Sequence, residues 1–225
     1  MIKSSPQLSS LNKLPNGTIE LSLTVRWSDI QKGYEKEVTE AIANAELPGF
    51  RKGKAPRNLV EAKLDKSHLY SHAVQHLLPE AYAAAVKTHN LKPVLYPQIK
   101  ILKGQENQDW EFQAITCEAP SVILPEKLSS DLNTLRQKSQ VKIPDLLVEE
   151  EANHRLASLA ENITKLGLTS KQYLASKKLT PESLKAQISQ NSRTDLETEF
   201  TLLHLQSVQK LPDRKSTLDF LQKLV

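Results

Sequence analysis

The chain begins with an alternating pattern of apolar and polar side chains. "TIELSLTVR", which starts at Thr18, places apolar residues at every second position, as in a strand with one buried face. The Asn16-Gly17 pair in front of it predicts a hairpin turn, because these residues adopt positive φ at low cost. The first strand of that hairpin lies within residues 2–14, where Pro6 favours a sheet edge.

A helical pattern follows, with one interruption. "SDIQKGYEKEVTEAIANAEL" has apolar residues at helical spacing, and Ser28 with Gln31 fits a capping box. This helix ends before Pro48, since the residue in front of a proline avoids the helical conformation. Pro56 opens a short second helix, and Asp65 caps a long third one. The interruption is therefore a loop at the tip of a pair of helices.

Two further strands complete the first half of the chain. "QIKIL" is followed by a polar turn and by "DWEFQAITC", whose Trp110, Phe112 and Ala114 share one face. The order strand, helices, strand, strand predicts an α+β domain with an antiparallel sheet over residues 1–120.

The pattern changes after residue 120. Residues 121–143 read as a linker, "EAPSVILPEKLSS", followed by the short helix "SDLNTLRQKSQ". From residue 144 every segment is helical, which predicts an all-α domain over residues 144–225. Its longest helix opens at Thr180-Pro181. The predicted apolar stripe of that helix consists of Leu184, Ile188, Leu196, Phe200 and Leu203.

Composition narrows the class of protein. The chain of 225 residues carries 30 basic and 26 acidic residues, a net charge of +4. No apolar run approaches the ~20 residues of a membrane span, and the first residues lack the apolar core of a signal peptide, so we expect a cytoplasmic protein without membrane contact. Cys117, the single cysteine, forms no internal disulfide and reads as a buried strand residue.

The basic character is concentrated in "LPGFRKGKAPRN", residues 47–58, which we call the basic loop. It contains four cations and no acid: Arg51, Lys52, Lys54 and Arg57. Gly49 and Gly53 allow tight bends, and the flanking prolines restrain both ends. Phe50 stands at the tip with no evident core to enter. The combination predicts a docking point for a polyanion or an acidic protein surface.

Two other interpretations of the basic loop are weaker. "GFRKGK" is one residue short of a phosphate-binding loop, Ala55 stands where a Ser or Thr would ligate Mg²⁺, and no strand precedes the loop. A solvated basic turn without a partner also accounts for the charge.

Metal binding and catalysis find little support. His68, His72 and His76 share one helix row, and two such imidazoles can bind zinc, but the row is flanked by polar residues and lacks a further ligand. We therefore predict an exposed polar row, no metal and no cofactor. The common nucleophile and dinucleotide motifs are absent from the sequence.

"GFRKGKAP" resembles the ribosome-docking motif of the trigger factor family, bacterial chaperones at the nascent-chain exit. "LKPVLYPQIKI" and "DWEFQAITCEAPSVIL" resemble the closing strands of that family's ribosome-binding domain, while "IPDLLVEEEANHRL" and "LGLTSKQYLASKKLTPESLKAQI" resemble its C-terminal chaperone domain. The resemblance implies ribosome contacts at Phe50, Arg51 and Lys52, in a loop shaped by Gly49 and Gly53. Charge alone adds two supporting residues, Lys54 and Arg57.

The sequence departs from the family in one respect. Typical members carry a peptidyl-prolyl isomerase domain between the two parts, but only about 25 residues separate Cys117 from Ile143, too few for an independent domain. We therefore expect no isomerase and no enzymatic activity.

The resemblance implies an ATP-independent chaperone with residues 1–120 as ribosome-binding domain and residues 144–225 as a truncated chaperone domain. Its partners would be the large ribosomal subunit (an exit-tunnel protein and nearby rRNA) and unfolded or nascent polypeptides, and a weak homodimer stays open. The alternative is a ribosome- or RNA-binding factor whose helical half binds a partner protein. The sequence leaves open which apolar residues of that half form a core and which form a client cradle.

Overall fold

The structure, a computed structural model, describes residues 9–224. The strands are β1 (Ser9–Lys13), β2 (Thr18–Val25), β3 (Gln98–Lys103), β4 (Trp110–Cys117), β5 (Ser121–Ile123) and β6 (Gln140–Lys142). The helices are α1 (Trp27–Asn44), α2 (Arg57–Glu61), α3 (Lys66–Thr88), α4 (Leu132–Lys138), α5 (Asp145–Lys165), α6 (Ser170–Lys177), α7 (Pro181–Val208) and α8 (Arg214–Gln222). The edge position predicted for Pro6 lies outside the described residues.

The chain divides into two compact units. Of the described residues, the first unit comprises 9–12, 19–92 and 96–116, and the second comprises 13–18, 93–95 and 117–224. We call them the sheet unit and the helical unit.

A four-stranded sheet in the order β1-β2-β4-β3 forms the base of the sheet unit. Its central strands bury alternate side chains, as the sequence pattern predicts. The buried apolar residues of these two strands include Ile19, Leu21, Leu23, Val25, Phe112 and Ala114. The hairpin turn is confirmed as well, since Gly17 has a φ of 80° and the amide of Leu14 donates to the carbonyl of Thr18 at 2.8 Å.

Helices α1 and α3 cover one face of this sheet and pack against each other. Ile30 of α1 and Val74, Ala81 and Ala85 of α3 join the strand residues in a single core. The rings of Tyr34 and Tyr70, one from each helix, stack with their centroids 4.5 Å apart. The predicted α+β fold with an antiparallel sheet is confirmed for this half.

The predicted capping box at the start of α1 is wrong. The helix begins one residue earlier, at Trp27, so Ser28 lies inside the first turn and caps nothing. The amide of Trp27 instead donates to Oδ1 of Asp109 at 2.8 Å. The cap therefore comes from the loop between β3 and β4, which a local pattern of residues does not reveal. The predicted Asp65 cap is confirmed, because its Oδ1 accepts the amide of Ser67 at 2.9 Å.

The segment predicted to be a linker with a short helix contains more structure than expected. The helix is present as α4, capped by Asp131, which accepts the amide of Thr134 at 2.7 Å. In addition, β5 and β6 form a two-stranded antiparallel sheet in which Val122 faces Val141. Strands of three residues are too short to show an alternating pattern, so the sequence gives no sign of them.

The helical unit is organised around α7, which contacts α4, α5 and α8. One buried apolar cluster of this unit contains Leu135, Leu202, Leu205 and Leu221. The predicted all-α character from residue 144 onward is confirmed.

Four residues of the predicted stripe of α7 are half-buried: Leu184, Ile188, Leu196 and Phe200. The fifth, Leu203, does not belong to the buried face. Leu202 and Leu205 are buried, whereas Leu203 of the predicted stripe is 47% exposed. Thr201 is also buried, since its hydroxyl donates to the backbone carbonyl of Glu197 at 2.7 Å and needs no other partner. The prediction therefore differs from the structure at the C-terminal end of the stripe, where Leu202 and Leu205 are buried in place of Leu203.

Within residues 9–224, no helix combines the length and the apolar character that a membrane span requires.

Candidate functional site

The basic loop joins α1 to α2 at the tip of the helices, as predicted. Two successive tight turns shape it. The amide of Phe50 donates to the carbonyl of Leu47 at 3.0 Å, and the amide of Lys54 donates to that of Arg51 at 2.9 Å. Gly53 is the third residue of the second turn and has a positive φ of 70°.

The root of the loop is fixed to α1. The amide of Gly53 donates to the carbonyl of Ala45 at 3.0 Å. A Cβ on Gly53 would lie 2.7 Å from the carbonyl oxygen of Ala43, so the backbone approaches the end of α1 as closely as a glycine allows. Ala55 and Val60 are buried and anchor the far end of the loop.

The tip of the loop presents its side chains to solvent. Phe50 is 42% exposed. Arg51, Lys52 and Lys54 are exposed too, and none of the ion pairs between described residues involves them. The structure thus brings together one aromatic ring and three cations within five consecutive positions.

Arg57 differs from the other cations of the loop. Its Nη2 donates to Oε2 of Glu35 at 2.8 Å, and its Nε donates to Oε1 of Glu61 at 2.5 Å. These hydrogen bonds, the one to Glu35 first and the one to Glu61 second, raise the pKa of the Arg57 guanidinium above its usual value. The charge of Arg57 is therefore neutralised within the protein.

The sequence showed only part of this arrangement. Arg57 and Glu61 have the i,i+4 spacing that allows contact on a helix, so this ion pair could be predicted from the sequence. Glu35 lies on the preceding helix, and only the fold brings it to Arg57.

The other candidate chemistry stays weak. In the described part of the chain, no three metal-ligating side chains form a group that could hold a metal ion. His72 and His76 instead face Glu37 of α1, with nitrogen–oxygen distances of 3.8 and 3.7 Å. Cys117 is buried in β4, and burial raises the pKa of its thiol to about 11, so it is no nucleophile near neutral pH.

The α+β unit thus presents an exposed aromatic ring and exposed cations on a loop whose root is fixed to α1. The family model of bacterial trigger factor protein (TF) matches residues 8–155, and the model of its C-terminus matches residues 126–212. The chain therefore belongs to the trigger factor family.

The similarity to curated relatives covers 64% of this chain. The trigger factor of Staphylococcus saprophyticus is 34% identical over 146 residues, and that of Staphylococcus carnosus is 32% identical over 145 residues. The trigger factor of Syntrophomonas wolfei is 32% identical over 143 residues. The aligned part amounts to 32%, 32% and 31% of these three proteins, so the chain spans about a third of their length.

One solved structure is also similar, a chain from work on promiscuous substrate recognition in folding and assembly activities of the trigger factor chaperone. It is 19% identical, with a TM-score of 0.39 over 68% of this chain and 35% of that one.

Proposed function

We propose that this protein is a chaperone that docks on the large ribosomal subunit near the nascent-chain exit and shields emerging apolar segments without ATP. The observation that carries the proposal is the exposed Phe50 beside the exposed cations of a fixed loop, in a chain of the trigger factor family. The surface of a ribosome is rich in phosphate, which attracts such a loop from solution. The proposed location is the cytoplasm, and no cofactor is required.

Six residues of the basic loop have a proposed role in docking. Phe50, Arg51 and Lys52 contact an exit-tunnel protein and nearby rRNA, and Lys54 adds charge to the same surface. Gly49 and Gly53 set the path of the backbone, with φ values of 87° and 70°. Because the loop is already held in shape, little conformational entropy is lost when it docks.

We assign docking to residues 1–120 and the holding of clients to residues 144–225. Several large apolar side chains of the helical unit are exposed, which supports a client-holding role: Leu166, Leu168, Leu203 and Val208. Transient contact with such side chains protects unfolded segments from aggregation while synthesis continues.

We further propose that the protein lacks isomerase activity. The stretch between β4 and α5 is occupied by β5, α4 and β6, and the two family matches overlap at residues 126–155. Both observations support a direct connection between the two parts of the family. A proline-limited refolding assay tests this, and faster refolding in the presence of the protein would contradict it.

Co-sedimentation with bacterial 70S ribosomes tests the docking proposal. The natural chain is compared with the triple variant Phe50→Ala/Arg51→Ala/Lys52→Ala at two salt concentrations. A matched control, Lys100→Ala/Ile101→Ala/Lys127→Ala, removes two cations and one exposed apolar side chain elsewhere.

We expect the natural chain and the control to pellet with ribosomes, less so at higher salt, and the triple variant to stay in solution. Equal pelleting of all three proteins, or of none, would refute docking through the loop.

A cleft in the helical unit favours the alternative function, in which this half binds a specific partner protein. It lies between α5 and α7, has a volume of about 280 Å³, and is lined by charges of both signs, among them Glu149, Lys185 and Arg193. A client cradle is expected to be more apolar. Suppression of aggregation of an unfolded protein, measured without ribosomes, separates the two, because only the chaperone gives protection.

A further inference from the structure

Arg57 lies at the boundary between the basic loop and α2, where its guanidinium bridges two helices. Glu35 belongs to α1, before the loop, and Glu61 belongs to α2, after it. The hydrogen bonds of 2.8 Å to Glu35 and 2.5 Å to Glu61 engage different nitrogens of the guanidinium. Only arginine offers this fork of donors, since the lysine ammonium is a single point charge. The bridge therefore closes the base of the loop from both sides.

We propose that Arg57 positions the basic loop and does not itself contact the anionic partner. This inference rests on the proposed function, and it changes the role that charge alone gives to Arg57. We call Arg57 with Glu35 and Glu61 the clamp.

The charge balance supports a positioning role. One cation between two carboxylates gives the clamp a net charge of −1, whereas Arg51, Lys52 and Lys54 form no ion pair with a described residue. A phosphate that approached Arg57 would be repelled by both carboxylates. The free cations offer the same interaction without that cost.

A second tie near the clamp closes the loop in the same way. Gly53 lies four residues before Arg57 in the chain, and its amide donates to the carbonyl of Ala45. Together the two ties join the start of α2 and the second turn of the loop to α1. The tip beyond them, residues 47–52, is held in one orientation and still exposed.

Glutamine variants of the clamp distinguish positioning from direct contact, because the two roles predict opposite changes in ribosome binding for Glu35→Gln. If Arg57 touches the ribosome, Glu35→Gln frees its charge and binding stays equal or becomes tighter. If Arg57 positions the loop, Glu35→Gln weakens binding although the protein becomes more positive. Glu46→Gln is the matched control, since Glu46 is exposed, lies at the loop and forms no ion pair with a described residue.

We expect Glu35→Gln and Arg57→Gln each to weaken co-sedimentation with 70S ribosomes by roughly twofold to fivefold, as for loss of a bridged surface pair. The dependence of log affinity on log salt should keep its slope in both variants. Arg51→Gln should instead reduce that slope by about one unit, as expected for a lost phosphate contact. Arg57→Lys should weaken co-sedimentation as much as Arg57→Gln does, because the lysine ammonium does not offer the fork of donors that bridges the two carboxylates.

A measurement without ribosomes tests the clamp independently. Trypsin cleaves after Arg51, Lys52 and Lys54 when the loop opens, and mass spectrometry quantifies each site. We expect Glu35→Gln to raise cleavage at these sites several-fold and Glu46→Gln to leave it unchanged.

If Glu35→Gln is cleaved no faster than the natural chain, or binds ribosomes as tightly, the proposal that Arg57 positions the basic loop is wrong. Failure of the natural chain to pellet would refute the docking proposal, while the protease measurement would still decide the clamp.

Discussion

The α-carbon of Gly53 lies against the carbonyl oxygen of Ala43, so that an added methyl group would come within 2.7 Å of that oxygen. Gly49, four residues earlier, also has a positive φ, but an added methyl group there meets nothing within 4 Å. The two glycines of the basic loop are therefore required for different reasons, one by backbone conformation and the other by conformation and space together.

Substitution of the two glycines by alanine separates these requirements. Gly49→Ala should cost only the strain of a left-handed residue, about 1–2 kcal/mol, and should leave the root of the loop in place. Gly53→Ala adds a clash with the backbone of α1 and should cost more, because that backbone cannot move aside. Urea unfolding of both variants gives the comparison, and equal losses of stability would contradict it.

The cap of α1 predicts different effects on stability for a second pair of variants, Asp109→Ala and Ser28→Ala. Asp109→Ala removes the acceptor for the amide of Trp27 and should lower the free energy of unfolding by about 1 kcal/mol. Ser28→Ala should have almost no effect, because Ser28 is inside the helix. A larger loss in Ser28→Ala than in Asp109→Ala would show that the helix begins where the sequence pattern placed it.

The orientation of α7 predicts different losses of stability for a third pair of variants, Leu205→Ala and Leu203→Ala. Leu205→Ala removes a fully buried side chain from the core of the helical unit and should cost about 2–5 kcal/mol in unfolding. Leu203→Ala, two positions earlier, changes an exposed side chain and should stay within about 0.5 kcal/mol of the natural chain. Aggregation suppression measured on Leu203→Ala then reports on client contact without a change in stability.

The buried thiol of Cys117 makes stability depend on alkaline pH. Its pKa is raised from 9.0 to about 11 in the folded protein, so the unfolded chain ionises first as pH increases. The contribution of the neutral thiol is complete below about pH 9 and is lost as pH rises toward 11. The difference in unfolding free energy between the natural chain and Cys117→Ala should therefore be smaller at pH 11 than at pH 8, and a constant difference would contradict the raised pKa.

Features set by neighbouring residues were predictable from the sequence. The alternation in β2 and β4, the Asp65 cap and the tip position of the basic loop follow from side chains within a few positions of one another. Each depends on a period or a local hydrogen bond, which the order of residues shows directly.

Features set by distant residues were not predictable. Asp109 reaches Trp27, and Glu35 reaches Arg57, only after the sheet and the helices have assembled. At the end of α7, Leu202 and Leu205 are buried rather than Leu203 because they pack with Leu135 of α4 and Leu221 of α8, which only the fold brings to that side.

The sheet order places β2 beside β4, with residues 26–109 between them in the chain. A chain synthesised from its N-terminus therefore cannot pair β2 with β4 until residue 117 has left the ribosome. The basic loop emerges earlier, but its supporting core closes only at that point. During its own synthesis the protein thus passes through the kind of incomplete state that it is proposed to shield in others, and under that proposal each new copy is a client for the copies already made.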